Sequence, residues 1–228
     1  MPPDIKTITL ALPYRLGRVN CYLVKTDAGY ILIDTGSSNQ RAQIEQALLN
    51  AGCRPGDLKL IVLTHGDFDH TGNAAYLRQK FGAPLAMHPD DFGMLERGDM
   101  FASRGKHNPI FKAVAPLMFK FGPSDRATPD IPLTEGYNFS ACGFDARVIS
   151  IPGHSRGSIG IMTAGGDLFV GDLLENTGRP ALNSIMDDRA AAQASVEKLK
   201  RLNVTRIYPG HGASFSLDHF LESARHST

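Results

Sequence analysis

The feature that most constrains this chain lies at residues 58–70, where a short, largely apolar run rich in leucine and branched side chains ends in the dense polar string His65-Gly66-Asp67-Phe68-Asp69-His70. The run 58–64 is too short for an independent helix and reads as a buried strand. That strand delivers polar residues at its C-terminal end. In an extended segment a residue and its second neighbour project to the same side, so His65, Asp67 and Asp69 can converge, with His70 joining where the loop turns into the next helix. Three more polar residues follow strands in glycine-punctuated turns: Pro152-Gly153-His154-Ser155, Val170-Gly171-Asp172 and Tyr208-Pro209-Gly210-His211-Gly212. Each turn leaves its side chain at a sheet edge.

The rest of the chain alternates strands and helices. Branched apolar segments at 7–12, 19–26 and 30–34 read as strands, and 40–51 as an amphipathic helix stopped by Gly52 in a left-handed cap. A helix is expected at 73–81, strands at 84–88, 146–151, 158–163 and 168–171, a helix at 190–202, a strand at 204–208 and a last helix at 217–224. The stretch from about 89 to 140 differs in character: Met94, Leu95, Met100, Phe101, Phe111, Leu117, Met118, Phe119 and Phe121 mix with Arg97, Arg104, Lys106, Lys112 and Lys120. It reads as a helical insert, with Asn108 capping a helix that starts at Pro109 and that Pro116 bends or ends. Two uses stay open for it: a helical pair packed on the core, or a lid or homodimer surface exposing Met and Phe.

Composition bounds the answer without naming a function. At 228 residues the chain suits one domain, 1–228, with that insert. A formal charge of +1 gives no general electrostatic reason to bind nucleic acid or anionic membrane. Cys21, Cys53 and Cys142 lie far apart, form no CxxC pair and read as reduced core residues. The first ten residues hold no signal-peptide apolar core, and no run reaches about 18 apolar residues, so a cytoplasmic location is expected.

With Asp34 in Ile33-Asp34-Thr35-Gly36, the string 64–72, His154, Asp172 and His211 in that order, the chain resembles the metallo-β-lactamase-fold hydrolase superfamily over nearly its whole length. The family motif is written HxHxDH; here it is H-x-D-x-D-H, with Asp67 in place of the second histidine. The resemblance implies an α/β (α+β) architecture, an αβ/βα four-layer sandwich of two mixed β-sheets flanked by helices, and two divalent metal ions in a groove at one sheet edge. By position, His65, Asp67 and His154 would hold the first ion, Asp69, His70 and His211 the second, and Asp172 would bridge them. Asp34 reads as an outer carboxylate orienting ligands. Zinc is the first candidate ion, with iron or manganese favoured to some degree by the extra oxygen ligand. The flavodiiron proteins are similar at this point, with a glutamate binding iron at the position of Asp67. The added carboxylate also leaves the bridging water less acidified than in the usual site.

The chemistry so implied is hydrolysis by a metal-bridging hydroxide, with Asp69 the candidate to carry the proton to the leaving group. The substrate is a small molecule; an apolar acyl group with a carboxylate near Arg104, Lys106 and Lys112 would make it an ester, lactone or thioester. Two other classes stand beside this reading: an iron-dependent, thiol dioxygenase-like oxidoreductase, and a non-catalytic binding module. His88 reads as structural, His107, His219 and His226 as surface residues, and Tyr208 as a strand-end core aromatic.

Overall fold

Successive side chains of a strand point to opposite faces, so a strand apolar at every position needs a core on both sides. The computed structural model, which describes residues 3–102, 104 and 109–225, supplies both. A six-stranded sheet runs in the order β1 (Asp4–Ala11), β2 (Arg18–Thr26), β3 (Gly29–Ile33), β4 (Leu58–Val62), β5 (Leu85–Met87) and β6 (Ile131–Pro132). Its first three strands are antiparallel, and β3 to β6 are parallel. Tyr22, Val24, Ile31, Ile33, Leu60 and Val62 point into one core; their alternates Cys21, Leu23, Leu32 and Ile61 point into another.

The second sheet has five strands. In chain order they are β7 (Ala146–Ser150), β8 (Ile159–Thr163), β9 (Asp167–Gly171), β12 (Arg206–Pro209) and β13 (Phe215–Ser216), the last two following a small ribbon of β10 (Leu174–Glu175) and β11 (Ala181–Leu182). Val148, Ile159, Ile161 and Phe169 meet the inner face of the first sheet, while Ile149, Ile151, Met162, Leu168 and Val170 face outward. Helices cover both outer faces. Ile44 and Leu48 of α1 (Arg41–Asn50), Leu77 and Phe81 of α3 (Ala74–Phe81), and Met94 and Leu95 of α4 (Phe92–Arg97) cover the first sheet, where the short α2 (Phe68–Thr71) adds Phe68 and α5 (Pro109–Met118) adds Ala115. Ala192, Val196 and Leu199 of α6 (Arg189–Leu199), with Leu217 and Phe220 of α7 (Leu217–Arg225), cover the second. The result is the αβ/βα four-layer sandwich, with three apolar cores between four layers. Each fully buried Leu, Ile or Phe in those cores contributes about 1.5–3 kcal/mol.

The expected strands and helices are present with ends shifted by a few residues, and Gly52 adopts φ +85° after α1. Segment 89–140 is not purely helical. Besides α4 and α5 it carries β6, and Leu133 and Phe139 enter the core between the sheets. Its apolar residues divide: Met94, Leu95, Met100, Phe101, Phe119 and Phe121 are buried in the core, as the packed alternative expects, whereas Ile110, Val114 and Leu117 of α5 are exposed. The helix that was to bend or end at Pro116 closes at Met118. The expectations for Lys106, His107, Asn108 and His226, and for the side chains of Phe111 and Lys112, lie outside the described residues. Cys21, Cys53 and Cys142 are free, the first two buried and the third partly so. Among the described residues no helix is long and apolar enough to cross a membrane.

Candidate metal centre

Four loops at the C-terminal ends of β3, β4, β9 and β12, and a fifth after β7, meet at one edge of the two sheets. The β4 loop and α2 bring His65, Asp67, Asp69 and His70; the second sheet brings His154, Asp172 and His211. Two sets of ligand-type atoms converge within 4.8 Å of one another: His65, His154 and Asp172, and Asp69, His70 and His211. The turns are glycines because the approach is close. A Cβ on Gly210 would stand 2.1 Å from Asp172 Oδ1 and 2.7 Å from His70 Cε1.

Each imidazole is anchored through Nδ1 and turns Nε2 inward. His70 Nδ1 lies 2.9 Å from Asp34 Oδ2, His154 Nδ1 donates to the carbonyl of Ile185 at 2.7 Å, and His211 Nδ1 donates to the carbonyl of Arg18 at 2.7 Å. His65 follows by elimination. Thr64 has one hydroxyl proton, which goes to Asp34 Oδ2 at 2.8 Å, so its oxygen must accept from His65 Nδ1 at 3.0 Å. Asp34 thus sits where the sequence reading put it, behind the ligands, accepting also from the Thr64 amide at 2.8 Å. Outer partners of this kind fix the tautomer and aim the lone pair.

The Asp69–His70–His211 corner has the edge lengths of a coordination shell. His211 Nε2 lies 3.1 Å from Asp172 Oδ2 and 3.4 Å from Asp69 Oδ2, and His70 Nε2 lies 3.2 Å from Asp172 Oδ1 and 3.9 Å from Asp69 Oδ2. Two ligands at about 2.0–2.1 Å from a tetrahedral ion stand roughly 3.3 Å apart. His65 Nε2, His70 Nε2 and Asp172 Oδ1 are buried and have no hydrogen-bond partner. Buried polar atoms are ordinarily satisfied, so aligned orphans of this type fit a divalent cation.

The electrostatics agree. Burial works against charging these imidazoles, yet Asp172 and Asp69 push His211 up to about 11, and Asp172, Asp34 and Asp69 hold His70 well above the usual histidine range. The carboxylates therefore demand a cation, and protons supply it when no ion is bound. His65 goes the other way, held low by burial and by the neighbouring His70 and His154.

Asp67 reaches the site but faces a different cation. Its Oδ2 lies 3.0 Å from His154 Nε2 and 3.9 Å from His65 Nε2, while Oδ1 pairs with Arg104 Nη2 at 2.7 Å. Although burial opposes it, the Arg104 guanidinium keeps the Asp67 carboxyl far below the usual carboxylate range. Arg104 Nε pairs in turn with Asp187 at 3.0 Å, and its side chain is 3% exposed. It is therefore not free to receive a substrate carboxylate, the role the sequence reading gave it.

Two residues that sequence reasoning missed hold this arrangement: Asp187, and the fully buried Asp91. Asp91 accepts from the Gly66 amide at 3.1 Å, from Ser155 Oγ at 2.6 Å and from the Gly157 amide at 3.0 Å, so it ties the β4 loop to the His154 loop. Neither lies near a ligand in sequence, so no spacing could flag them. Tyr208 is partly buried and stacks on Phe169 at 4.9 Å at the margin of the core, and His88 accepts from the Asp90 amide at a helix start. His219 is exposed.

Comparison with known proteins agrees with this geometry. The family model described as the Metallo-beta-lactamase superfamily matches residues 14–211. The chain is 29% identical to the hydroxyacylglutathione hydrolase GloC of Haemophilus influenzae, with 89% of each covered, and 32% identical to metallo-beta-lactamase domain-containing protein 1 of Rattus norvegicus, over 82% of this chain and 63% of that one. It is 26% identical to a beta-lactamase-like protein 2 homolog of Caenorhabditis elegans over 88% of this chain, and spans 58% of that relative's length. Among solved structures, TTHA1623 in a di-iron-bound form superposes with a TM-score of 0.71 at 28% identity, covering 93% of this chain and 95% of that one.

Proposed function

The chain belongs to the metallo-beta-lactamase superfamily, and from that premise we propose that it is a metal-dependent hydrolase of a small carboxylic thioester, ester or lactone. The observation that carries this reading is the set of inward, partnerless lone pairs on His70 and Asp172 beside Asp69 and His211. Zinc is the first candidate ion. Iron is the second, on the likeness to a di-iron protein. A divalent ion held by Asp69, His70, His211 and Asp172 supplies Lewis-acid polarisation of a carbonyl and acidification of water.

The chain's own groups do the rest. Asp69 and His211 are the members of the set at the solvent edge, with side chains 12% and 15% exposed. Substrate enters from that side, and Asp69 is placed there to pass a proton between water and the leaving group. The loops whose carbonyls hold His154 and His211 also present Ile185, Leu16 and Tyr14 to solvent, a rim that suits an apolar acyl group. The thioester is favoured within the class by the likeness to a hydroxyacylglutathione hydrolase.

The test is hydrolysis of p-nitrophenyl esters, a simple lactone and an acyl-glutathione after chelation and return of zinc, manganese or iron. Activity abolished by chelation and restored by one ion is expected; no metal-restored hydrolysis of any of the three overturns the reading. Asp69→Asn is expected to cost turnover about 10²–10⁴-fold with a smaller change in metal content, and unchanged turnover removes the proton role.

A further inference from the structure

The corner formed by His65, Asp67 and His154 already contains a cation, and it belongs to the chain. Arg104 Nη2 stands 2.7 Å from Asp67 Oδ1 and 3.3 Å from His154 Nε2. On its other side the same guanidinium is tied to Asp187 at 3.0 Å. These atoms are where a first ion would find its ligands. An ion bonded to His154 Nε2 at the usual ~2.0–2.1 Å would lie no more than about 5.4 Å from the guanidinium nitrogen, which is 3.3 Å from Nε2. Two like charges that close, in a site shielded from water, oppose each other strongly.

The guanidinium is also hard to move. Withdrawing it would take from the buried Asp67 carboxylate its one guanidinium partner, 2.7 Å away, and separating a buried ion pair is costly. The substitution of Asp67 for a histidine and the placing of Arg104 explain one another. An imidazole at position 67 would leave Arg104 facing the neutral ligands of a divalent ion; a carboxylate at 67 makes a two-carboxylate cradle for an arginine. The contrast with the neighbouring corner lies in the cation: there, among the described residues, no Lys or Arg pairs with Asp69 or Asp172 in any ion pair of the site, and the carboxylates face only His70 and His211.

We infer that this chain is a one-metal protein, in which the Arg104 guanidinium, cradled by Asp67 and Asp187, takes the place of the first ion and only the Asp69–His70–His211–Asp172 corner is loaded. Arg104 is a positioning and charge-compensating residue. The inference rests on the metal-dependent reading above, and its test is separate from catalysis.

Native mass spectrometry of the full chain, titrated with cobalt(II) or zinc(II) alone, counts the ions bound. The wild-type chain is expected to saturate at one ion per chain. Arg104→Gln, which shortens the side chain and removes the charge while keeping a polar amide, is expected to bind a second ion at least tenfold more tightly than wild type and to saturate at two. Manganese(II) in parallel is expected to give an isolated-ion paramagnetic resonance signal in wild type and a coupled-pair signal in Arg104→Gln. Two ions bound tightly by wild type, or one ion in a folded Arg104→Gln, overturns the inference. The wild-type count decides the first half even where the variant folds poorly. A chain that binds no ion at all sinks the hydrolase reading instead, and a chain that binds one ion without hydrolysing anything leaves the stoichiometry intact while refuting the activity.

Discussion

Asp34 carries a φ of +60°, a conformation that a residue with a side chain keeps only when its surroundings hold it there. What holds it is the set of three donors it accepts from: the Thr64 amide, the Thr64 hydroxyl and His70 Nδ1. Asp34→Ala is expected to weaken metal binding about 10–100-fold, measured by competition with a chromophoric chelator, and equal affinity would show that His70 needs no such support. His211 yields a pH dependence. Its folded-state value of about 11 lies above the ordinary histidine value of 6.5, so in metal-free protein its proton contributes stability that is fully present below about pH 6.5 and is lost as pH rises through 11. Melting temperature against pH, in chelator, checks the sign; His211→Gln is expected to flatten that decline. Of the residues involved, the seven ligand-type side chains were legible because they stand in fixed order on glycine turns. Arg104 was visible only as one cation among several, and Asp91 and Asp187 not at all, since a partner supplied by the fold leaves no spacing in the chain.

The turns are built to a tolerance that a single methyl exceeds. Gly210→Ala would set a carbon 2.1 Å from Asp172 Oδ1, and the expected outcome is a chain that folds with one to a few kcal/mol less stability and loses its ion. Elemental analysis together with a denaturant titration separates the two effects. Asp91 acts between elements, joining the loop after β4 to the loop after β7 through three hydrogen bonds. Asp91→Ala leaves the Gly66 and Gly157 amides unmet at about 1–3 kcal/mol each, while Ser155 Oγ can turn to Ser158 Oγ at 2.8 Å, so a fall in denaturation midpoint is expected, and a fall no larger than a surface substitution's would show that water replaces the carboxylate. The long elements were readable because parity and helical spacing repeat along them. β6, β10, β11 and β13 have two residues apiece, too few for any period, and exist because a neighbouring strand offers an edge. The same shortness hid β6 inside a segment whose methionines and phenylalanines otherwise read as helix.

At the scale of the whole chain, an ion held at this centre would join two halves that otherwise meet through the apolar core between the sheets. Asp69 and His70 follow β4 of the first sheet, and Asp172 and His211 follow β9 and β12 of the second. Free ion at 100 times its dissociation constant is expected to add about 2.7 kcal/mol of stability, a rise of roughly 5–10 °C in melting temperature for a domain this size. Because the unfolded chain sheds its histidine protons near pH 6.5 while the metal-free fold still holds them, the stripped protein loses stability as pH rises, and the gap between loaded and stripped protein is expected to widen from pH 6 to pH 9; a constant gap would mean that the imidazoles are already neutral in the fold at the lower pH. The spacing of the ligands along the chain has a further consequence, in time. Asp69 and His70 are made early and His211 late, and at about 5–20 residues per second the ribosome separates them by something on the order of ten seconds. A growing chain therefore offers passing ions only a fragment of the pocket, and the choice among zinc, iron and manganese falls to the finished fold, settled by competition at equilibrium and not by which ion arrives first.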